Sequence, residues 1–482
     1  MSSATPAVVW FRDDLRLADN PALHAAAASG APVLCVYVFD EESRGVRPLG
    51  GASRWWLHHS LAALDASLRA IGGRLDILRG AGAETIAALA RGARRVDWTR
   101  RYGVAEIAID TEAKSALKEL GVEAASHNGQ LLREPWELRT GSGSFYRVFT
   151  PFWRAANALP APAPPSRAPK SVAAADWPAG APNRIALDDL GLLPTRPDWA
   201  SGLRAAWTPG EEGARARLKA FVGGELPGYA KGRDQLAEEA TSRLSPHLRF
   251  GEISPRQVVA AVRKAAHAGA NADKFLAEIG WREFCYHLLY HSPDLSTRNF
   301  QPRFDALPWR SDQAGFDAWK RGRTGYPVVD AGMRELWATG TMHNRARMVC
   351  ASFLTKHLLI DWREGERWFW DTLCDADPAN NPAQWQWVAG SGADAAPYFR
   401  VFNPVVQGDK FDPDGAYARL WAPELAKLDN KHIHAPWTAP PRALADAGVR
   451  LGETYPRPIV DHATARARAL AAFATTTGEA DP

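Results

Sequence analysis

The sequence predicts an α/β N-terminal domain built on a parallel, Rossmann-like sheet, followed by an all-α C-terminal domain. Three observations carry this. Short apolar runs alternate with helical patterns up to about residue 128. Beyond about residue 210 the helical period dominates and strand signals vanish. A stretch rich in Pro, Ala, Gly and Asp separates the two regions. Strand–helix alternation favours a parallel sheet with helices on both faces, because parallel neighbours need a crossover. The 482 residues are ample for large cores.

In order, strands are expected at Val8–Phe11, Val33–Phe39, Leu75–Leu78, Arg95–Thr99 and Val122–Ala125. The clearest helix among them is Arg54–Ile71, where Leu57, Leu61, Leu64, Leu68 and Ile71 recur at helical spacing. No GxGxxG follows the first strand, so a dinucleotide fingerprint is absent. Residues 1–128 form the expected α/β domain. Residues 129–207 read as a linker over the surface. Residues 208–482 form the helical domain. Its helices are expected at Gly213–Val222, Pro255–His267, Ala272–Tyr290, Pro327–Thr339, His343–Leu359 and Glu364–Leu373, punctuated by Gly and Pro. An Ala- and Arg-rich helix follows about Val460.

Bulk properties exclude several classes. No apolar run of about 18 residues exists, so no transmembrane helix is expected. Met1 to Val8 lacks the pattern of a secretory signal, which makes the cytoplasm the expected compartment. The net charge of +4 is compatible with nucleic acid without demanding it. Cys35, Cys285, Cys350 and Cys374 form no CxxC pair, so buried thiols are expected rather than a metal site. His287 and His291 lie four apart without a zincin glutamate and read as packing residues. Twenty tryptophans are unusual. They suit a large aromatic core, stacking platforms or redox-active rings.

Three constellations could carry chemistry. Asn344, Arg347 and Met348 share one helix face at i, i+3 and i+4, and Asp375 or Asp377 could pair with Arg347. Such a cluster, near Trp385 and Trp387, suits a flat, hydrogen-bonding ligand; an ion pair with caps in a helical core is the plainer alternative. Thr241-Ser242-Arg243-Leu244-Ser245-Pro246 places hydroxyls and Arg ahead of a helix, as a phosphate site or a simple N-cap. Glu278, Trp281 and Arg282 share another helix face, suited to a stacked base or to a surface pair beside a core Trp.

These motifs meet in one family. Phe11-Arg12-Asp13-Asp14-Leu15-Arg16-Leu17-Ala18-Asp19-Asn20-Pro21-Ala22-Leu23 resembles the opening signature of the DNA photolyase/cryptochrome family. Thr241 to Pro246, Trp281-Arg282-Glu283-Phe284, Thr324 to Ala331, Met342 to Met348 and Trp385-Gln386-Trp387 resemble its flavin domain in the right order. The resemblance covers nearly the whole chain. Gly51-Ala52-Ser53-Arg54-Trp55-Trp56 further resembles the class III bacterial photolyases, near plant cryptochromes.

The resemblance implies FAD in the helical domain. Tyr229, Thr241, Ser242, Arg243, Leu244, Ser245, Arg282, Asn344, Arg347, Asp375, Ala376, Asp377 and Asn381 are the matching cofactor-binding positions. It implies light-driven splitting of cyclobutane pyrimidine dimers by electron transfer from excited reduced FAD. Glu278 would hydrogen-bond the lesion, Asn381 would face the flavin, and Trp385, Trp362 and Trp309 would form the electron-transfer triad. Arg233, Glu278, Trp281, Asn344, Arg345, Met348, Trp387, Arg400 and Gln407 match lesion- and DNA-binding positions. The implied partner is ultraviolet-damaged DNA, met by a monomer without membrane or metal.

Relatives that repair the other ultraviolet photoproduct carry His where this chain has Asn344 and Met348, so dimer repair is preferred. Many folate-binding members use an Asn-Glu pair for the antenna. Here the positions read Ala105-Glu106, so Glu106 alone is carried over, with methenyltetrahydrofolate as the antenna the resemblance offers. The helix at Trp55-Trp56 leaves another folate mode open. The alternative function is a cryptochrome-type blue-light receptor without repair activity.

Overall fold

The computed structural model describes residues 5–265, 269–395 and 399–477. Five strands, β1 (Ala7–Phe11), β2 (Val33–Phe39), β3 (Leu75–Arg79), β4 (Arg95–Thr99) and β5 (Glu123–His127), form one parallel sheet in the order β3-β2-β1-β4-β5. β2 and β4 fall at the residues expected from the sequence, and β5 lies one to two residues later. β1 pairs with β2 from Ala7 opposite Val33 and with β4 from Ala7 opposite Arg95. Helices Pro21–Ala28, Gly51–Ala70, Gly82–Leu89 and Val104–Glu119 make the crossovers. The central strand β1 is apolar and buried throughout, as a parallel strand covered on both faces requires.

The order reverses between β1 and β4, the position where open α/β sheets form a crevice. Charge occupies it here. Arg12, 4% exposed, reaches Asp110 at 2.5 Å, and Asp110 also accepts from Trp98 Nε1 at 2.9 Å.

The chain divides into two compact units: Met1–Pro227 with Ser242–Pro293, and Gly228–Thr241 with Asp294–Pro482. Residues 129–207 hold the Phe149–Ala158 helix and short helical turns at Asp188–Leu190 and Ser201–Ala206. The first unit also contains the helices Glu211–Gly223, Pro255–Lys264 and Gly269–His291. A Ser254–Gln257 capping box and Pro255 start the second of these. The helix expected to reach His267 is described only to Lys264; residues 266 and 267 lie outside the described residues.

The second unit is helical among its described residues, apart from one isolated Leu451–Tyr455 bridge. Pro327–Thr339 starts on a proline and ends at Gly340, whose φ of 66° closes the last turn. The helix expected over residues 343–359 stops earlier. Asn344–Ser352 is α-helical, and Phe353–His357 widens into a π-turn, with Leu358 N–H bonded to the Phe353 carbonyl at 3.1 Å. The Thr355 hydroxyl bonds back to the Ala351 carbonyl there, at 2.8 Å. His343 caps the first segment, its Nδ1 accepting from Arg345 N–H at 3.2 Å. Trp362–Thr372 begins two residues earlier than expected because Asp361 caps it. The last helix is His462–Thr477.

The core of the second unit gathers Trp319, Phe353, Trp362, Phe369 and Trp385, with Trp309 packed at its edge. Gly365 makes the room: a Cβ there would lie 2.1 Å from Trp385 Cη2. All four cysteines are buried. No helix among the described residues is long and apolar enough to cross a membrane, and none of them cluster as a metal site.

Gly365→Ala should therefore destabilise the second unit by about 1–3 kcal/mol through overpacking, read as a lower urea midpoint and a shifted Trp385 emission. A second expectation concerns His343, whose pKa is pushed down from 6.5 to about 4, chiefly by burial. Between those values the unfolded chain binds the extra proton, so stability falls as pH drops through that window. His343→Asn keeps a capping acceptor and should flatten this decline in urea midpoints measured from pH 7 to 4.

Candidate functional site

In the second unit, the Asn344–Ser352 helix turns Arg347 and Met348 to a half-buried face and leaves Asn344 exposed. Arg347 meets Asp375 through two parallel bonds, Nη1–Oδ1 at 3.1 Å and Nη2–Oδ2 at 2.9 Å. Its Nε donates to the Met342 carbonyl at 2.8 Å. The guanidinium is thus fixed in plane and orientation. Of the two aspartates the sequence offered as partners, Asp375 makes the pair. Asp377 does something else: its Oδ1 accepts from Ala379 N–H at 2.8 Å and Asn380 N–H at 2.6 Å, capping the Asn380–Ala389 helix. Ala376, between them, is buried.

That helix carries Asn381 and Trp385 four residues apart, on one side. Both N–H groups of the Asn381 amide are committed to Glu366, to its carbonyl at 3.0 Å and its Oε1 at 2.7 Å. The Asn381 Oδ1 is therefore the amide's remaining acceptor, and its direction is set. Trp385 is 3% exposed and lies edge-on to Phe369 at 4.9 Å and Trp319 at 6.2 Å. Its Nε1 is buried without a hydrogen-bond partner. Trp362 is fully buried and donates to Asn299 at 2.9 Å. Trp309 is half-buried and packs at the edge of the cluster that holds Trp385 and Trp362.

A cationic patch lies in the same unit. Arg345 pairs with Asp234 at 2.7 Å and stacks on Phe411 at 4.3 Å, with Met348 Sδ 3.8 Å from its Nη1. Arg233 stands over the buried Tyr229 ring at 5.4 Å. Trp387 is half-buried, its Nε1 bonded to the Asp394 carbonyl at 3.0 Å. Arg400 is exposed beside Phe402, and Gln407 is half-buried in the Pro404–Phe411 helix. Thr241 ends the short segment Gly228–Thr241 and is half-buried.

In the first unit, Ser242 and Arg243 are half-buried, Leu244 is buried, and Ser245 is exposed at the start of the five-residue helix Ser245–Arg249. Arg243 has φ +50° and stands over Trp207 at 4.4 Å. On the Gly269–His291 helix, Trp281 stacks face to face on Phe149 at 4.0 Å, which holds its plane. Glu278 is half-buried one turn earlier. Arg282 is 7% exposed and points inward, donating to the Gln130 carbonyl at 2.9 Å. Glu106 opens the Val104–Glu119 helix, half-buried, with its carboxylate folded back over Gly103.

Several residues that position these groups have no motif in the sequence. Glu366 orients Asn381, Asp234 holds Arg345, and Phe149 backs Trp281. Helical spacing relates Glu366 to Trp362, at i+4, but does not relate it to Asn381.

Residues 7–170 match the family described as DNA photolyase, and residues 275–475 match the FAD binding domain of DNA photolyase. The chain is 55% identical over 473 residues to a deoxyribodipyrimidine photo-lyase of Agrobacterium fabrum, covering 97% of this chain and 98% of that protein. It is 39% identical to cryptochrome-1 of Arabidopsis thaliana, covering 96% of this chain and 69% of that protein. A crystal structure of a bacterial class III photolyase from Agrobacterium tumefaciens superposes with a TM-score of 0.95 at 54% identity, covering 99% of each chain. The chain therefore belongs to the DNA photolyase family.

Proposed function

We propose that this protein is a deoxyribodipyrimidine photo-lyase that uses blue light and reduced FAD to split cyclobutane pyrimidine dimers in DNA. The observation that most supports it is the fixed Asn381 amide, one helical turn from the buried Trp385 and six residues after the Asp375 that clamps Arg347. The alternative is a cryptochrome-type receptor on the same scaffold. Relatives at 55% and 54% identity with near-complete mutual coverage are named photo-lyase and photolyase, which favours the enzyme.

The residues present fit FAD. Arg347 offers a guanidinium already neutralised and oriented by Asp375, which suits a charged or polar ring edge. Asn381 offers a fixed acceptor, and Trp385 Nε1 is a buried donor without a partner. Thr241, Ser242 and Ser245 carry accessible hydroxyls for phosphate, with Tyr229, Arg243, Leu244, Arg282, Asn344, Ala376 and Asp377 completing the set. When bound and reduced, FAD supplies a light-excitable electron donor.

The chain's own groups do the rest. Glu278 donates to or accepts from a pyrimidine edge and steadies the charge that the lesion carries during splitting. Trp281, with one face held by Phe149, gives its other face to the lesion. Trp387 and Met348 wall the lesion, and stacking of this kind is worth about 1–3 kcal/mol per base. A dimer leaves the duplex more readily than an intact pair, because its stacking is already weakened. Arg233, Arg345, Arg400 and Gln407 take phosphates and lesion edges. Trp385, Trp362 and Trp309 pass electrons inward from the rim. We assign an antenna role to residues 1–128, with Glu106 as a folate contact, a linker role to 129–207 and catalysis to 208–482. The protein acts in the cytoplasm as a monomer.

Anaerobically reduced protein, mixed with an oligonucleotide holding one thymine dimer, should repair it in blue light and leave it intact in the dark. A yellow, DNA-binding protein that leaves the dimer intact under both conditions would overturn the lyase reading in favour of the receptor. Glu278→Ala should lower repair quantum yield more than dimer affinity; a loss confined to affinity would remove its charge-steadying role. Trp309→Phe should block photoreduction of oxidised flavin while sparing repair by chemically reduced protein. Unchanged photoreduction would take Trp309 out of the chain of rings.

A further inference from the structure

The second unit carries a pocket whose charged lining is entirely cationic. Arg303, Lys356 and Arg400 line it, and no carboxylate does. The rest of its wall is aromatic, apolar or glycine, chiefly Phe304, Phe399, Phe473 and Trp387. Its volume is about 30 Å³. At roughly 10–15 Å³ per water, that is room for two or three waters. Such a space suits one tetrahedral oxyanion and is too small for a base.

The local fold explains how a lysine comes to lie there. The π-turn at Phe353–His357 buries all five of its residues, Lys356 at 3% exposure among them. Its Nζ donates to the Arg400 carbonyl at 2.5 Å and stands 4.4 Å from the centre of the Phe399 ring. The Ser352 hydroxyl accepts from Phe402 N–H at 3.4 Å. The segment carrying Arg400 is thus pinned to the turn at two points. Phe399 in turn stacks on Phe473 at 4.6 Å.

Lys356 is the unusual group. An ammonium carries three donors, and among the described residues this one meets a single acceptor, an uncharged carbonyl. Buried charges in native proteins are normally paired, because an unpaired one keeps its full desolvation cost. Burial accordingly pushes the Lys356 amine down to about 7, and the Arg400 charge acts in the same direction. The other two cations are exposed. Arg303 stands over Phe304 at 5.2 Å and over Phe473 at 5.7 Å, which holds it beside the opening. A buried cation at the floor and two guanidiniums at the rim, with no carboxylate in the wall, attract an anion.

We propose that this pocket holds one phosphoryl group. Lys356 Nζ donates to it from beneath, and the guanidiniums of Arg303 and Arg400 close over it with charge-assisted hydrogen bonds. Two sources supply that chemistry, a backbone phosphate of the damaged DNA strand and free inorganic phosphate. The first rests on the lyase reading, because Trp387 lines this pocket and is also assigned to the lesion.

The test is binding in the dark by the flavin-loaded full chain. The probes are oligonucleotides holding one thymine dimer, each with a single backbone phosphate near the dimer replaced by a neutral methylphosphonate. At one linkage the replacement should cost the parent protein about tenfold in affinity, the scale of a hydrogen bond to a charged group. Arg303→Gln and Lys356→Met should each remove that cost while leaving the cost at other linkages unchanged, as a double-mutant cycle requires. Arg303 is exposed, so its variant stays informative if Lys356→Met fails to fold. Calorimetric titration with inorganic phosphate is the second arm. Saturable binding weakened by either variant, without coupling at any linkage, identifies the free anion as the source. No linkage whose cost either variant removes, with phosphate binding absent or unchanged in both, would overturn the proposal. Repair by the parent protein in blue light is scored separately, so this inference can fail while the lyase reading stands.

Discussion

Arg347 uses every nitrogen of its guanidinium. Nε holds the Met342 carbonyl, and Nη1 and Nη2 clamp the two Asp375 oxygens. Asp375 has only 6% of its side chain exposed and Arg347 has 26%. Removing either partner would leave a largely desolvated charge, which costs far more than a surface pair returns. The clamp ties the Asn344–Ser352 helix to the loop that precedes Asn380–Ala389. Two residues beyond Asp375, Asp377 caps that second helix, and the helix then delivers Asn381 and Trp385. Glu366 closes the circuit from a third helix by fixing the Asn381 amide. Four polar side chains thus set the geometry of Asn381 and Trp385.

For the tryptophans proposed as an electron path, packing and electron transfer would not compete for the same rings. Trp385 and Trp362 are core residues by burial, and both are members of one aromatic cluster. A buried, close-packed ring has a fixed orientation, which a short electron hop also needs. Gly365 exists to admit Trp385, since any side chain there would occupy the space of the indole. Trp362 spends its N–H on Asn299, whereas Trp385 Nε1 has no hydrogen-bond partner.

The first unit uses a doubly wound sheet without its usual phosphate loop. Arg12, Asp110 and Trp98 interlock where the strand order reverses. The same economy recurs on the Gly269–His291 helix. Arg282 donates inward to a backbone carbonyl, Trp281 stacks on Phe149, and Glu283 faces the opposite side. Three consecutive residue types are sent in different directions by the helical turn alone.

Local pattern determined much of this protein. β2 occupies Val33–Phe39 because that run is apolar throughout, and β4 occupies Arg95–Thr99, where Val96 and Trp98 alternate with Arg95, Asp97 and Thr99. Pro327–Thr339 has a proline at its start and glycine at its end, so its limits are readable without any tertiary contact. Arg347 and Met348 share a half-buried face as helical spacing suggested, whereas Asn344 is exposed and Arg282 turns inward away from Trp281. What the sequence could not decide was which polar atoms meet. Asn381 chose Glu366 from 15 residues away, Arg345 chose Asp234 from 111 and Glu283 chose the Leu132 backbone from 151. It also could not show that the helix after Ser352 opens into a π-turn. Periodicity and capping are local free-energy preferences and are written in neighbouring residues. Hydrogen-bond partners across such distances are selected only once packing has excluded water and brought their chain segments together.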